Sequence, residues 1–323
     1  MLWDDLLSNS ELLEWIKQGS ILYMSTDLHK IKNKVRRYAA VKRRAKELLK
    51  EKKSMIKERR QEENENPELL QQRLEANVPI TIENSRMVNE TVTKDDEDVA
   101  LEEDQDEFAA FFKSENAEPK VLVTTSRNPS GKIYDFAAEV SDIFPNCEFV
   151  KRKNFDVKEI VGFCNNREFT DIIIINENNK IPDYMTIIHL PEGPTAFFRL
   201  TNPVVSKQIH NHGRSTAHQP ELILNNFDSR LGRTVGRFFA SLFEKLPEFD
   251  GRQVCTFHNQ RDFIFFRRHR YMFDDGKTRL QEIGPRFTLK LRWLKKGLFD
   301  HDAQVEFKWH PKMQVDRRKF FLS

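Results

Sequence analysis

A chain of 323 residues with 53 Lys and Arg against 50 Asp and Glu is long enough for two domains. Its three cysteines, Cys147, Cys164 and Cys255, have neither an even count nor C-x-x-C spacing, which argues against a disulfide framework and fits reduced thiols inside a cell. No stretch approaches the roughly 20 apolar residues that span a bilayer, and the start lacks the order of a signal peptide, so membrane and secreted classes are set aside.

The net charge of +3 averages over opposed blocks. Residues 1–28 place Leu2, Leu6, Leu7, Leu12, Leu13 and Ile16 among acidic positions, an amphipathic segment to which no function is attached. Residues 29–66 are a basic helical extension: between Lys30 and Arg60 fifteen Lys and Arg face three Glu, with no Pro or Gly before Pro67. Cations around most of a helix circumference suit a polyanion such as RNA, a nuclear-import signal or a solvated helix. Residues 67–118 read as an acidic linker, with thirteen acids against three bases from Glu83 to Glu118. Phe108, Phe111 and Phe112 stand at i, i+3, i+4, an amphipathic turn that docks on the chain's own core or on a partner.

Residues 119–300 carry the core, and 301–323 a basic tail. Val121, Leu122 and Val123 begin a buried strand. A Ser126-to-Gly131 turn follows, then a helix whose Ile133, Phe136, Ala137, Val140 and Phe144 share one face. Strands are predicted at 171–176, 184–190 and 195–201, and again at 252–257, 262–273 and 286–294.

These elements repeat. Ser126-Arg127 and Phe136-Ala137 match Ser229-Arg230 and Phe239-Ala240 at an offset of 103. The strand opening at Asp171 matches the one opening at Asp262, and each Asp precedes a Gly-Pro by 22 residues, at Gly193-Pro194 and Gly284-Pro285. The first copy then holds about a dozen extra residues, read as a short helix over 156–166. The expectation is an α/β fold of two pseudo-symmetric β-α-β-rich halves, about 119–201 and 220–300, packed into one unit.

No nucleophile–base set, metalloprotease motif or carboxylate pair stands in a catalytic context, so an enzyme is not expected, and no cofactor or metal is called for. Ser126 to Lys132 lacks the first glycine of a phosphate loop, but Arg127 and Lys132 flank a helix start that suits either phosphate or solvent. Arg230 and Arg233 follow the matching turn in the second copy. There, Arg261, Arg267, Arg268 and Arg270 interleave with aromatics, joined downstream by Arg286, Lys290, Arg292, Lys295 and Lys296. The first copy has Ile and Asn where the second has Arg and Phe, which predicts one scaffolding half and one basic, RNA-facing half.

The run Lys120–Thr125 with Ser-Arg, then Leu190-Pro-Glu-Gly-Pro194, Asn225-Asn-Phe, Phe257-His-Asn-Gln-Arg-Asp262 and Ile283-Gly-Pro-Arg-Phe287 resembles the Brix domain over about Lys120 to Asp300. Leu231-Gly-Arg, Phe239-Ala-Ser-Leu-Phe243 and Gly251-Arg-Gln-Val resemble its large-subunit branch. The resemblance implies two halves like the anticodon-binding domains of some tRNA synthetases. It also implies a nucleolar factor that binds precursor rRNA of the large (60S) ribosomal subunit beside a companion assembly protein. Gly284 to Gly297 looks like the family's proposed RNA-binding motif, which carries over Arg286, Lys290 and Arg292 as contacts. The competing expectation is a protein-interaction scaffold within pre-ribosomal particles, without specific RNA contact.

Overall fold

A computed structural model of the chain describes residues 31–87, 91–92, 96–114, 118–274, 276–299, 303–314, 316 and 318–323. The amphipathic segment expected over 1–28 lies outside the described residues. The chain divides into two compact units, residues 1–86 and 87–323. Among the described residues, no helix is long and apolar enough to cross a membrane.

In the first unit, α1 (Lys34–Glu65) is capped by Asn33, whose side chain accepts from the amides of Val35 and Arg36 at 3.0 and 3.1 Å. Pro67 opens α2 (Pro67–Ala76) at a position where a missing amide costs nothing. Glu63 ties the pair together by accepting from Arg73 at 2.6 Å and lying 3.5 Å from Arg59. Most basic residues of α1 are exposed along its length.

The second unit is built on one eleven-stranded sheet. The first half supplies β1 (Val121–Thr125), β2 (Cys147–Phe149), β3 (Asp171–Asn178), β4 (Ile181–His189) and β5 (Thr195–Val204). The second supplies β6 (Glu221–Asn225), β7 (Gln253–Gln260), β8 (Phe263–Asp274), β9 (Lys277–Glu282) and β10 (Arg286–Lys295), with β11 (Val305–Lys308) after it. The order β2-β1-β3-β4-β5-β10-β8-β7-β6 is a near-palindrome about the β5–β10 junction: β1 runs parallel to β3 and β6 parallel to β7, while the other pairs on this path, β1–β2 apart, are antiparallel. The two expected halves are therefore joined edge to edge, which removes one exposed edge from each.

Helices α5 (Gly131–Ser141) and α7 (Arg230–Ala240) pack on one face of this sheet. They share the main apolar cluster with the inward residues of β1, β3, β4, β5, β7, β8 and β10. On the opposite face, α6 (Val157–Asn165) buries Ile160, Val161 and Cys164 against Leu122, Ile172, Ile174 and Ile188. A capping box between Asp156 and Glu159 starts α6, which is the extra helix expected in the first copy.

The internal repeat is real, but its register differs from the one read in sequence. Helices α5 and α7 start on Ser130 and Ser229, 99 residues apart, and α5 buries Ile133, Phe136, Ala137 and Val140 where α7 buries Gly232, Val235, Gly236 and Phe239. The offset of 103 slips the match by four residues, about one helical turn, which leaves the apolar phase unchanged and so goes unnoticed in a sequence. Asp262 is not the counterpart of Asp171. It stands with Arg261 in the two-residue β7–β8 turn, where both φ angles are positive, and its equivalent is Lys180, which follows Asn179 in the β3–β4 turn. The Gly-Pro match holds: Gly193 and Gly284 both have positive φ and lead into β5 and β10. A Cβ on Gly193 would lie 2.4 Å from the Gly297 carbonyl carbon, so only glycine fits there. The first copy's surplus is β2 and α6, partly offset by β9 in the second.

The acidic segment docks on the core through its phenylalanine turn, one of the two expectations for it, and the segment after β11, expected only as a basic tail, reaches the core as well. The acidic segment forms α3 (Glu97–Gln105) and α4 (Ala109–Lys113), and Phe108 between them is fully buried, 5.3 Å from Phe238 and 4.7 Å from His189 by ring centroids. In the segment after β11, Leu322 is buried. The Asp262 carboxylate accepts the amides of Phe321 and Leu322 at 2.8 and 3.0 Å, and Ser229 donates to the Phe321 carbonyl at 2.5 Å. Leu322 comes so close to α7 that a Cβ on Gly232 would meet its carbonyl oxygen at 2.0 Å.

Arg268, expected among the RNA contacts, faces the helix side of β8 and is 2% exposed. Its guanidinium donates to the Asp142 carbonyl at 3.0 Å and to Ser215 Oγ and Gln253 Oε1 at 2.8 Å each, so it bridges the two halves from inside. Arg268→Ala leaves the buried Gln253 Oε1 without this donor and opens a gap in the core where the guanidinium stood, and it is expected to cost about 3 kcal/mol of unfolding free energy; a denaturant melt equal to wild type would show the bridge to be dispensable. Burial pushes the thiols of Cys147 and Cys255 up to about 12 and that of Cys164 to about 11. Because only the thiolate reacts, a thiol reagent near pH 8 should label all three slowly in the native protein and fast after unfolding. Rapid native labelling of Cys255 would contradict its burial.

Candidate nucleic-acid interface

The outer face of β5, β10 and β8, opposite α5 and α7, contributes no side chain to either apolar cluster. Strand alternation places Phe197, Arg199 and Thr201 of β5, Thr288 and Lys290 of β10, and Phe263, Phe265, Arg267 and His269 of β8 on this side. A register shift between Leu291 and Trp293 modifies the alternation. Strict alternation would turn Trp293 inward with Phe287, Leu289 and Leu291; the bulge instead sends Arg292 and Trp293 outward and returns Leu294 to the core.

Tyr184, Phe197 and Trp293 consequently form a continuous stack, with centroid separations of 4.9 and 5.1 Å and interplanar angles of 20° and 6°. All three are partly exposed. Cations line the stack and its continuation. Lys295 lies 5.4 Å from the Trp293 ring, Arg292 4.0 Å from Trp309, and Lys290 4.4 Å from Phe263 and 5.1 Å from Trp309. Arg199 pairs in register with Lys290 across the β5–β10 ladder and lies 3.6 Å from Asp183.

The electrostatics of this face favour an incoming anion. Burial lowers the Lys290 pKa, and the neighbouring Arg292 lowers it further, against the pull of Asp262. Burial likewise lowers that of Arg292, with Arg199 adding to it. Among the described residues, neither Lys290 nor Arg292 forms an ion pair with a carboxylate. At the next step along the face, Arg286 makes a two-pronged pair with Glu282 at 2.8 and 2.5 Å, and Arg267 stands 3.9 Å from the same carboxylate. His269 beside them is held below its ordinary value by burial, with Arg267 and Arg286 opposing Glu282.

The thirteen sequence-predicted residues thus do not form one patch. Arg267, Arg286, Lys290, Arg292 and Lys295 gather on the outer face. Lys296 turns to Glu306 at 3.6 Å. Arg261 is exposed at the β7–β8 turn and Arg270 towards the far end of β8. Arg268 is inside. Arg230 and Arg233 face α3, at 2.8 Å from Glu102 and 2.5 Å from Glu103, and Arg237 closes the row on Asp106 at 2.6 Å. Arg127 is paired with Asp156. The α5 start that was to take a phosphate holds Glu177 instead, which accepts from the Ser130 amide at 3.0 Å and its hydroxyl at 2.5 Å; Lys132 is exposed beside it. Sequence reading missed Tyr184, Phe197, Arg199, Trp293 and Trp309. Period-two alternation would have found Arg199 and Phe197 on the face of Lys290, but the bulge that turns Trp293 outward leaves no sequence mark.

Among the described residues, no group of three or more His, Cys, Asp or Glu could hold a metal ion.

A family model described as the Brix domain matches residues 126–293. The chain is 49% identical to ribosome production factor 1 of Saccharomyces cerevisiae over 276 residues, 84% of this chain and 91% of that protein. It is 45% identical to ribosome production factor 1 of Mus musculus over 305 residues, 91% of this chain and 85% of that one. A crystal structure titled probable ribosomal biogenesis protein from Aeropyrum pernix K1 is similar at a TM-score of 0.42 and 17% identity, covering 54% of this chain and 96% of that one. With a family model matched over half its length and relatives at this identity over most of it, the chain belongs to the Brix-domain family.

Proposed function

We propose that this protein is a non-enzymatic, RNA-binding assembly factor in ribosome biogenesis that acts on precursor rRNA of the large (60S) subunit in the nucleolus. The single observation that supports the RNA-binding part is the outer face of β5, β10 and β8, where a three-ring stack lies beside the half-buried Arg292 and beside Lys290, which is largely covered by Phe263 and Trp309, two cations that no described carboxylate pairs. Unpaired bases stack on aromatic planes while Arg and Lys take the backbone, a combination suited to single-stranded or looped RNA rather than to a duplex groove. The names of the relatives support the assembly setting. The basic residues along α1 supply a second, sequence-independent attraction for a polyanion. The family resemblance supports a companion assembly protein beside it.

Crosslinking of the tagged protein to RNA in cells tests the reading. Discrete sites in large-subunit precursor rRNA that persist when residues 30–60 are deleted are expected; loss of all crosslinks from a deletion protein that still enters precursor particles would favour a scaffold. In vitro, the log–log salt dependence of binding to a single-stranded oligonucleotide should flatten by about 0.7 for each phosphate contact removed in Arg199→Ala and Arg292→Ala. An unchanged slope, with melts equal to wild type, removes those residues from the interface. Tyr184→Ala or Trp293→Ala should instead weaken binding by about 1–3 kcal/mol with the slope preserved. Equal affinity in both variants would mean that the stack does not receive bases.

A further inference from the structure

Away from that face, a cleft of about 340 Å³ opens between α6 and the β2 edge of the sheet. Its floor is apolar, made by Leu122, Ile160 and Phe169, all buried. Its wall is not. Phe155 and Phe163 meet edge to face at 5.4 Å yet are 45% and 47% exposed, and Val150 is 47% exposed. Large apolar side chains left this open in one place mark an interaction surface. The rim is basic: Lys151, Arg152, Lys153 and Arg167 line it against a single acid, Glu148. Burial and the neighbouring Arg127 already depress the Arg152 pKa.

Two features decide what chemistry fits. First, β2 is the outermost strand at its end of the sheet: the Val150 amide and the Asn146 carbonyl are bonded to β1, at 3.0 and 3.2 Å, so alternate backbone groups of β2 point away from the sheet. A polypeptide completes such a ladder and a nucleic acid does not. Second, the floor is apolar and concave, which fits an inserted side chain better than a base, whose flat faces seek a platform. Glu102 and Glu103 of α3 and Asp106 just after it, the chain's own candidates for a basic rim, are already engaged on α7.

We propose that the α6–β2 cleft docks an acidic segment of another protein, laid along β2 with a large apolar side chain in the cleft and its carboxylates on Lys151, Lys153 and Arg167. This surface is separate from the stacked face, so the protein can hold a protein partner and RNA together.

The test is selection of short peptides from an unbiased displayed pool against the full chain, followed by affinity measurement on two double variants, Phe155→Gln/Phe163→Gln and Lys151→Glu/Lys153→Glu. All four residues are on the surface, and a melt of each variant checks folding; should one variant melt early, the other carries the decision. Acidic peptides with a large apolar anchor should be enriched, and each double variant should bind them at least about tenfold more weakly. Enrichment of peptides lacking either feature, binding indifferent to both variants, or no enrichment at all would overturn the proposal. So would a uridine oligonucleotide whose binding falls in Phe155→Gln/Phe163→Gln, since the cleft would then belong to RNA.

Discussion

Everything distinctive in the sheet unit depends on the antiparallel ladder between β5 and β10. Two half-sheets of the same plan each end in a strand with an unpaired edge, and the ladder from Arg286↔Val204 to Lys295↔Thr195 closes both at once. Because the join is edge to edge, the inner faces of both halves become one surface, covered by α5 and α7, and the main apolar cluster runs through Phe198, Leu200, Leu289 and Leu291 without a break. The aromatic contacts Phe136–Phe287 and Phe198–Phe239 each link a residue of one copy to a residue of the other. Neither half could be removed without exposing the core of the other.

The same ladder creates the outer face. Helix α6 belongs to the insertion in the first copy and shields that copy alone; the second copy carries no such helix among the described residues, so the outer side from β5 to β8 is lined by its own strands' side chains and by Trp309. Those side chains are costly to bring together. Like charges directly opposite one another on neighbouring strands are destabilising, yet here Arg199 sits opposite Lys290, with Arg292 close by. The aromatic rings beside the cations offset part of that repulsion, and a bound phosphate would offset more. A face that folding alone would not favour is what a binding surface looks like in energetic terms.

Which parts of this were legible in the sequence follows from what each signal measures. Continuous apolar runs such as Ile172 to Ile175 report burial on both faces, and the structure has them in the centre of a half-sheet, under α6 on one side and the main cluster on the other. The Gly-Pro pair was legible because a positive φ and a close approach at Gly193 leave little choice of residue. The helix offset was not, since sliding one amphipathic helix a turn along another keeps every apolar residue apolar. Asp171 and Asp262 matched as letters while acting differently: the first is buried against His189 at 2.8 Å, the second holds the segment around Leu322 from a turn. Charge was the least legible quantity of all. Arg268 and Arg267 are adjacent, and alternation alone sends one into the interior and the other to the outer face.

The acidic segment shows how far composition can mislead about electrostatics. Counted along the chain, Arg230, Arg233 and Arg237 extend the basic half; in the fold their charge is met by Glu102, Glu103 and Asp106. Phe108 anchors this arrangement by burying itself beside Phe238, and Arg237 also lies 4.5 Å from the Phe112 ring, so the ion pairs are held by apolar packing at the end of α3 and not by charge alone. Partly exposed ion pairs contribute little to stability singly, but as a row they offset the field of α7 on its own side of the sheet. The second copy's positive charge is thereby weighted to the opposite side, where Lys290 and Arg292 border the aromatic stack. The field on that side is thus the one that favours an anion, and it coincides with the stacked rings of Tyr184, Phe197 and Trp293.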